Sequence, residues 1–325
     1  MKVLGIESTA HTFGVGIIDN KKILANVIDS YKTDKGGIHP TEAKEHHKRA
    51  ADEVIKKALE AAKLKIENID LISFSQGPGL PPCLVVGLEK AKELAKKYNK
   101  PLIGVNHCIA HLEIGRLLTK AKDPVLLCVS GANTQVIAYE GGKYRIFGET
   151  LDNGVGNFLD AFARELGIGF PGGPKIAELA EKSNNYIELP YVVKGMDISV
   201  GGILTNLKQK IKKGYKIEDL AFSCQETVFA MLIEVAERAL HHCNKKELLL
   251  GGGVSCNKRF QEMAKQMCRD NNFKCFILEN QFNIDNGAMI ANLGSIEYKA
   301  GVRQNINEIN IKPRERTDDV KVLWR

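Results

Sequence analysis

The sequence predicts an α/β protein of two lobes, each built on the same β-β-β-α-β-α-β order, with an inter-lobe cleft wide enough for a nucleotide. Three observations predict it. The chain has 325 residues, more than one ordinary hydrophobic core fills. An apolar hairpin at 3–19, folded about Ser8-Thr9-Ala10-His11-Thr12, is matched by a second at 126–139. Each hairpin is followed by a third strand and then by alternating helices and strands, as in a duplicated unit. Each lobe then brings one turn of small and hydroxyl residues to the cleft, where a phosphate can be held from both sides.

Strands of the first unit are read at 2–7, 13–18 and 23–29. A long helix over 41–64 follows, because Ala43, His47, Ala50, Val54, Ala58 and Ala61 share one side of it. A strand at 69–74 runs into the turn Gly77-Pro78-Gly79-Leu80-Pro81-Pro82, and a helix at 84–98 and a strand at 101–105 close the unit. The second unit has strands at 125–130, 134–139 and 144–149, with helices within 153–243. A short strand at 248–250 then ends in Gly251-Gly252-Gly253, followed by a helix over 256–271 and a strand over 273–278. The expected N-terminal lobe is 1–105 and the C-terminal lobe 106–294, with 295–325 packing back on the first.

Hydrophobic residues at 44% and charged residues at 26% are ordinary for a soluble globular protein. No apolar run approaches the ~20 residues of a membrane span, so no membrane association is expected. The strand pattern Val3-Leu4-Gly5-Ile6 starts at once, so a signal peptide is not expected and the chain is read as cytoplasmic. The eight cysteines include no C-x-x-C pair and read as reduced thiols, most of them in apolar patterns. A net charge of +7 leans towards anionic partners, nucleic acid included. The most basic early stretch, Lys32, Lys35, His39, Lys44, His46 and Lys48, is either a contact for such a partner or a solvated helix entry. No base-reading motif is present.

Chemistry concentrates between Gly104 and Gln135. If 107–118 is helical, His107 and His111 lie on one face about one turn apart, a spacing that can hold zinc or iron. The metalloprotease pattern H-E-x-x-H is absent, since Cys108 stands where its glutamate would be, and a zinc hydrolase is disfavoured. Ser130-Gly131-Ala132-Asn133 supplies backbone N–H groups and a hydroxyl to a phosphate. Gly251-Gly252-Gly253-Val254-Ser255-Cys256-Asn257 lies between a buried strand and a helix. It is either a ligand approach or a tight turn. Phe170-Pro171-Gly172-Gly173-Pro174 follows a helix carrying Asn157, Asp160 and Arg164, which turns Asp160 towards the cleft if it starts near Asn153. Asp285 opens the last long helix, either as an N-cap or as the carboxylate that completes a two-histidine metal site.

Taken together, these residues resemble a known family. The resemblance rests on His107-Cys108-Ile109-Ala110-His111, Ser130-Gly131-Ala132-Asn133-Thr134-Gln135 and Gly36-Gly37-Ile38-His39-Pro40. Ser75-Gln76-Gly77-Pro78-Gly79, Phe170-Pro171-Gly172-Gly173-Pro174 and Asp285-Asn286-Gly287-Ala288-Met289-Ile290-Ala291 extend it. They are similar to the tRNA N6-adenosine threonylcarbamoyltransferases, catalytic subunits of the KEOPS complex, in their archaeal form. The family was once labelled O-sialoglycoprotein endopeptidase. The resemblance implies an actin/hexokinase/Hsp70-like fold, in agreement with the duplicated unit. It implies transfer of a threonylcarbamoyl group from threonylcarbamoyl-adenylate to N6 of the adenosine next to the anticodon, in tRNAs that read codons starting with A. By position, it implies that His107, His111 and Asp285 hold one divalent metal per subunit, iron or zinc. The turn Cys128, Val129, Ser130, Gly131 and Ala132, with Asp160, Gly173 and Asn257, is implied to bind the adenylate. Implied partners are tRNA and the complex's small kinase-like ATPase, dimerising and accessory subunits.

Several positions depart from the family pattern. Archaeal relatives usually carry a metal-ligating Tyr where this chain has Cys128, so Cys128 is either a ligand, thiolate being the softer donor, or a plain strand cysteine. Ala132 adds a methyl where the family has glycine, and Ala177 replaces an acidic ribose-binding residue, with Glu178 beside it. An active enzyme is the reading these residues favour. The alternatives are an ATPase or phosphotransferase of the same fold with Glu7 as base, and a catalytically weakened scaffold subunit of the same complex.

Overall fold

The computed structural model describes residues 1–34 and 37–325. Lys35 of the early basic stretch and Gly36 of the Gly-Gly motif lie outside the described residues. Two five-stranded sheets dominate. The first comprises β1 (Lys2–Glu7), β2 (Thr12–Asp19), β3 (Lys22–Ser30), β4 (Leu71–Gly77) and β5 (Leu102–Asn106), in the order β3-β2-β1-β4-β5. In the second half, β6 (Val125–Val129), β7 (Thr134–Glu140) and β8 (Lys143–Glu149) precede a short ribbon, β9 (Val193–Lys194) and β10 (Asp197–Ile198). With β11 (Glu247–Gly251) and β12 (Lys274–Ile277) they give the order β12-β11-β6-β7-β8. In each sheet the first three strands pair antiparallel and the last two join parallel. The duplicated two-lobed fold is therefore as the sequence predicts.

Ten helices of the described residues clothe and separate these sheets: α1 (Pro40–Ala62), α2 (Pro81–Lys97), α3 (His107–Leu118), α4 (Val155–Glu165), α5 (Gly173–Ala180), α6 (Gly201–Lys212), α7 (Ile217–His242), α8 (Lys258–Asp270), α9 (Asn280–Asn283) and α10 (Gly287–Lys299). Prolines at the first positions of α1 and α2 set their starts, because the missing N–H is one a helix leaves unpaired anyway. None of the described helices is long and apolar enough to cross a membrane.

Burial falls into three cores. One lies between the first sheet and α1 and α2, with Phe13, Val54, Phe74 and Leu88. A second lies between the second sheet and α4 to α8, with Phe158, Phe162, Phe229 and Phe260. The third is shared: Val3, Ile18 and Ile103 of the first sheet and Leu126, Ile137 and Leu249 of the second meet around α3 and α10. Nine consecutive residues of α3, His107 to Gly115, are buried, as expected of a helix enclosed between two sheets rather than laid on one.

α10 runs through the expected boundary at 294/295 and lies on the first sheet, not the second. Its closeness has a sequence cause. A Cβ on Gly16 would overlap the backbone of Ala288, and one on Gly5 the backbone of Ala291, so strands and helix meet backbone to backbone. The units also touch across the cleft mouth, where Thr33 and Phe170 exchange backbone hydrogen bonds of 3.2 and 2.9 Å.

Candidate active site

The centre of the site follows from how α3 starts. β5 ends at Asn106 and the helix begins at the next residue, with no loop between. The Asn106 side chain accepts from the N–H groups of Cys108 and Ile109 at 3.0 and 3.1 Å, a complete N-cap. His107 is thus the first helical residue, His111 stands one turn on, and the ring centroids are 4.8 Å apart.

Asp285 joins them from the far end of the chain. Its Oδ1 lies 3.4 Å from Nε2 of His107 and 3.4 Å from Nε2 of His111. One donor atom from each residue falls within 4.8 Å of the other two. The N-cap duty that Asp285 could have performed belongs to its neighbour: Asn286 accepts from Met289 N–H at 3.0 Å and starts α10. That leaves the Asp285 carboxylate to the histidines, which both approach its Oδ1.

Two observations test whether these residues fit a cation. His111 is 1% exposed, yet its Nδ1 has no hydrogen-bond partner and its Nε2 only the long 3.4 Å approach to Asp285, a costly condition for a buried imidazole that a metal at Nε2 would ease. His107 is held from behind. Its Nδ1 meets Oε2 of the fully buried Glu7 at 3.0 Å, which turns Nε2 towards Asp285. A carboxylate behind a ligating histidine is the arrangement metal sites use to fix tautomer and ring plane. Burial by itself would depress His107, but the Glu7 and Asp285 carboxylates outweigh it and hold the imidazole well above its ordinary value. Burial lowers His111. Burial pushes Asp285 up, and the two histidines overcome this and hold it well below the usual carboxylate range. The donor set fits a divalent metal.

Glu7, read from the sequence only as a possible phosphotransferase base, has a place behind His107 that motifs did not show, for the two are 100 residues apart. It also accepts from the N–H and hydroxyl of Thr9 at 2.6 and 2.5 Å, so the first hairpin turn and the histidine helix share one carboxylate. The signal available was a lone acid at the end of an otherwise apolar strand.

Cys128 lies outside the three-residue cluster. It is 1% exposed in the shared core, and burial, with Cys108 and Asp285 nearby, raises its thiol well above the ordinary value.

The second hairpin turn is tied by its own hydrogen bonds and by α4. Ser130 N–H and Oγ both donate to Asn133 C=O, and Gly156 and Asn157 N–H donate to the carbonyls of Ser130 and Gly131 at 3.0 and 2.9 Å. The first turn of α4 therefore holds Gly131 and Ala132. No hydrogen bond within the described residues engages their own N–H groups. Ala132 is exposed. Val129, at the end of β6, is buried beneath the turn. Gly252, at φ +85°, brings the glycine turn against the carbonyl of Val129, an approach no side chain permits.

Asp160 on α4 accepts from Gly172 N–H at 2.7 Å, and burial raises its carboxyl against the pull of the Gly172 and Gly173 amides. Gly173 begins α5, where Ala177 is half-buried and Glu178 is exposed beside Lys175. Asn257 caps α8 through Phe260 N–H and donates to Gln225 at 2.8 Å. Its amide is thus largely engaged within the protein.

Comparison with known proteins gives a consistent result. A family model described as TsaD, tRNA N6-adenosine threonylcarbamoyltransferase, matches residues 22–292. A tRNA N6-adenosine threonylcarbamoyltransferase of Thermococcus kodakarensis is 57% identical over 325 residues, all of both chains. A probable bifunctional tRNA threonylcarbamoyladenosine biosynthesis protein of Thermoplasma volcanium is 51% identical over 324 residues, 100% of this chain and 62% of that one. Among solved structures, HypF of T. kodakarensis aligns with TM-score 0.63 at 17% identity, over 92% of this chain and 47% of that one. The ADPNP-bound activator of the 2-hydroxyisocaproyl-CoA dehydratase from Clostridium difficile aligns with TM-score 0.54 at 12% identity, over 94% and 99%. At such identities the two structures attest the fold alone.

Proposed function

The chain belongs to the tRNA N6-adenosine threonylcarbamoyltransferase family, and we propose that its inter-lobe cleft carries out that transfer with a metal at one end and an adenylate at the other. The observation that carries this reading is the meeting of His107, His111 and Asp285 within 4.8 Å, backed by Glu7. His107, His111 and Asp285 hold the ion, which is iron or zinc. Once bound, it supplies Lewis acidity and a fixed point for orienting the acyl donor.

The rest is done by the chain. In the reaction N6 of the adenosine attacks the carbamoyl carbonyl carbon, the carbon–oxygen bond to the phosphate breaks, AMP leaves and N6 loses a proton. An acyl adenylate is already activated, so no nucleophilic side chain is needed. The N–H groups of Gly131 and Ala132 face the leaving phosphate and offset its developing charge. Asp160, Gly173 and Ala177 lie towards the nucleoside, and Asn257 borders it from the glycine turn. Two hairpin turns hold the donor in place, so that the incoming amine reacts largely by proximity.

The phosphotransferase alternative loses its base in this geometry. Glu7 is fully buried and already accepts from Thr9 and His107. For partners, the name of the longer Thermoplasma relative supports a tRNA-modifying assembly, which we take to be the KEOPS subunits with tRNA. We place the reaction in the cytoplasm. The test is nucleoside mass spectrometry on unmodified tRNA incubated with this chain, those partners, the adenylate-forming enzyme, threonine, bicarbonate and ATP. N6-threonylcarbamoyladenosine is expected with the wild type and not with His107→Ala. Its absence with the wild type, beside a working relative as control, would overturn the reading in favour of a scaffold.

A further inference from the structure

Beyond α10 the chain forms a strap. Ile306, Ile309 and Ile311 pack on the outer core of the first sheet. Lys312 N–H donates to Gln76 C=O at 2.8 Å, and Gly79 N–H to Pro313 C=O at 3.1 Å. The strap then crosses to the shared core, where Val320, Val322 and Trp324 pack. In crossing, it grips α3 at two places. Glu315 Oε2 accepts from Asn106 Nδ2 at 3.1 Å, and Trp324 Nε1 donates to the buried Glu113 at 3.0 Å. Glu113 is further held by Arg116 at 2.8 Å and by the Tyr144 hydroxyl.

The first grip has a chemical consequence. Asn106 is the cap of α3, and its amide has two ends that look alike in shape and opposite in hydrogen bonding. A carboxylate only accepts, so Glu315 compels the NH2 group to face the strap. That leaves Oδ1 for the Cys108 and Ile109 N–H groups. Without it, the two N–H groups alone orient the amide, its NH2 end loses its acceptor, and the cap on the first turn of α3 is held from one side only. His107 is the first residue of that turn, whereas His111 is a turn deeper and packed on all sides. The disturbance therefore falls on one histidine of the pair.

We propose that Glu315 is a positioning residue for His107: through the Asn106 cap, the C-terminal strap sets the pose of the metal-binding helix. The proposal rests on the metal reading given above. Its experiment uses the full chain with cobalt(II) as probe, titrated by visible absorption, together with long-range proton–nitrogen spectra of the imidazoles in metal-free protein. Glu315→Ala is expected to weaken cobalt binding about ten- to a hundredfold. It should shift and broaden the His107 ring signals while leaving those of His111 in place. Glu315→Gln, whose amide oxygen still accepts from Asn106, is expected to restore affinity to within about threefold of wild type.

Wild-type cobalt affinity and unchanged His107 signals in Glu315→Ala would overturn the proposal. So would a Gln variant as defective as the Ala variant while both unfold cooperatively, since that would mark loss of charge or general packing instead. If the wild type itself binds no cobalt, the metal reading fails separately, and the imidazole spectra alone then decide whether Glu315 acts through His107.

Discussion

Oε2 of Glu7 and Nδ1 of His107 lie 3.0 Å apart with both side chains out of solvent, and this pair joins the first hairpin to the helix between the sheets. The pairing fixes which ring nitrogen of His107 faces Asp285. Glu7→Gln keeps an oxygen that can accept but removes the charge that makes the imidazole basic. We expect metal affinity to fall about ten- to a hundredfold with the fold retained, measured by competition with a chromophoric chelator. Unchanged affinity would mean that Glu7 serves only the Thr9 turn.

His107→Ala should abolish bound metal and cut transfer at least about a hundredfold, the scale of losing a Lewis acid at the reacting group. Metal analysis and nucleoside mass spectrometry on the same preparation check it. Full transfer by metal-free variant protein would sink the role given to the histidines.

Removal of the ion from wild-type protein by dialysis against a chelator should stop transfer and lower the melting temperature. Added iron or zinc should restore both, since a ligand bound only to the native state stabilises it by mass action. Calorimetry across a metal titration reads the second effect independently of activity.

Glu297 on α10 is 5% exposed, and burial beside Glu315 raises its carboxyl from 4.5 to about 8. The folded chain therefore keeps a proton there that the unfolded chain releases near pH 4.5. Stability is fully present below that pH and is lost as pH rises towards 8, by up to about 1.4 kcal/mol per pH unit. Glu297→Gln should flatten this slope and exceed wild type at pH 8, read from urea midpoints at three pH values. A wild-type profile flat over that range would contradict it.

Gly16→Ala places a methyl group against the backbone of Ala288. Backbone cannot yield as a side chain does, so a loss of about 3 kcal/mol is expected, at the upper end of overpacking costs. Urea unfolding measures it, and a change under about 1 kcal/mol would show that α10 can slide.

Much of this was legible because it is written in periodicity. The span 107–118, taken as helical for the sake of the histidine spacing, is a helix, and its Asn106 cap fixes where it starts. The sheet strands could be read for the same reason. What the sequence left open turned on near-equivalent residues and on distance. Asp285 and Asn286 are equally good caps by type, and only the structure shows Asn286 capping while Asp285 turns to the histidines. Cys128 looks the same on paper whether it ligates or packs; the structure buries it in the shared core, outside the cluster of His107, His111 and Asp285. Glu7, Asp285 and His107 carry no common pattern because no local spacing relates them. α10 could be recognised as a helix, but nothing in its composition says which sheet its small residues would meet.

That last placement bears on how the chain is made. β1 and β2 are made long before the helix that covers their inner face, which begins at Gly287. Until α10 is made, the first sheet has a glycine-lined face uncovered, a state prone to aggregation. Completion of that sheet waits on α10, and a chain truncated before Gly287 would leave this surface its least protected.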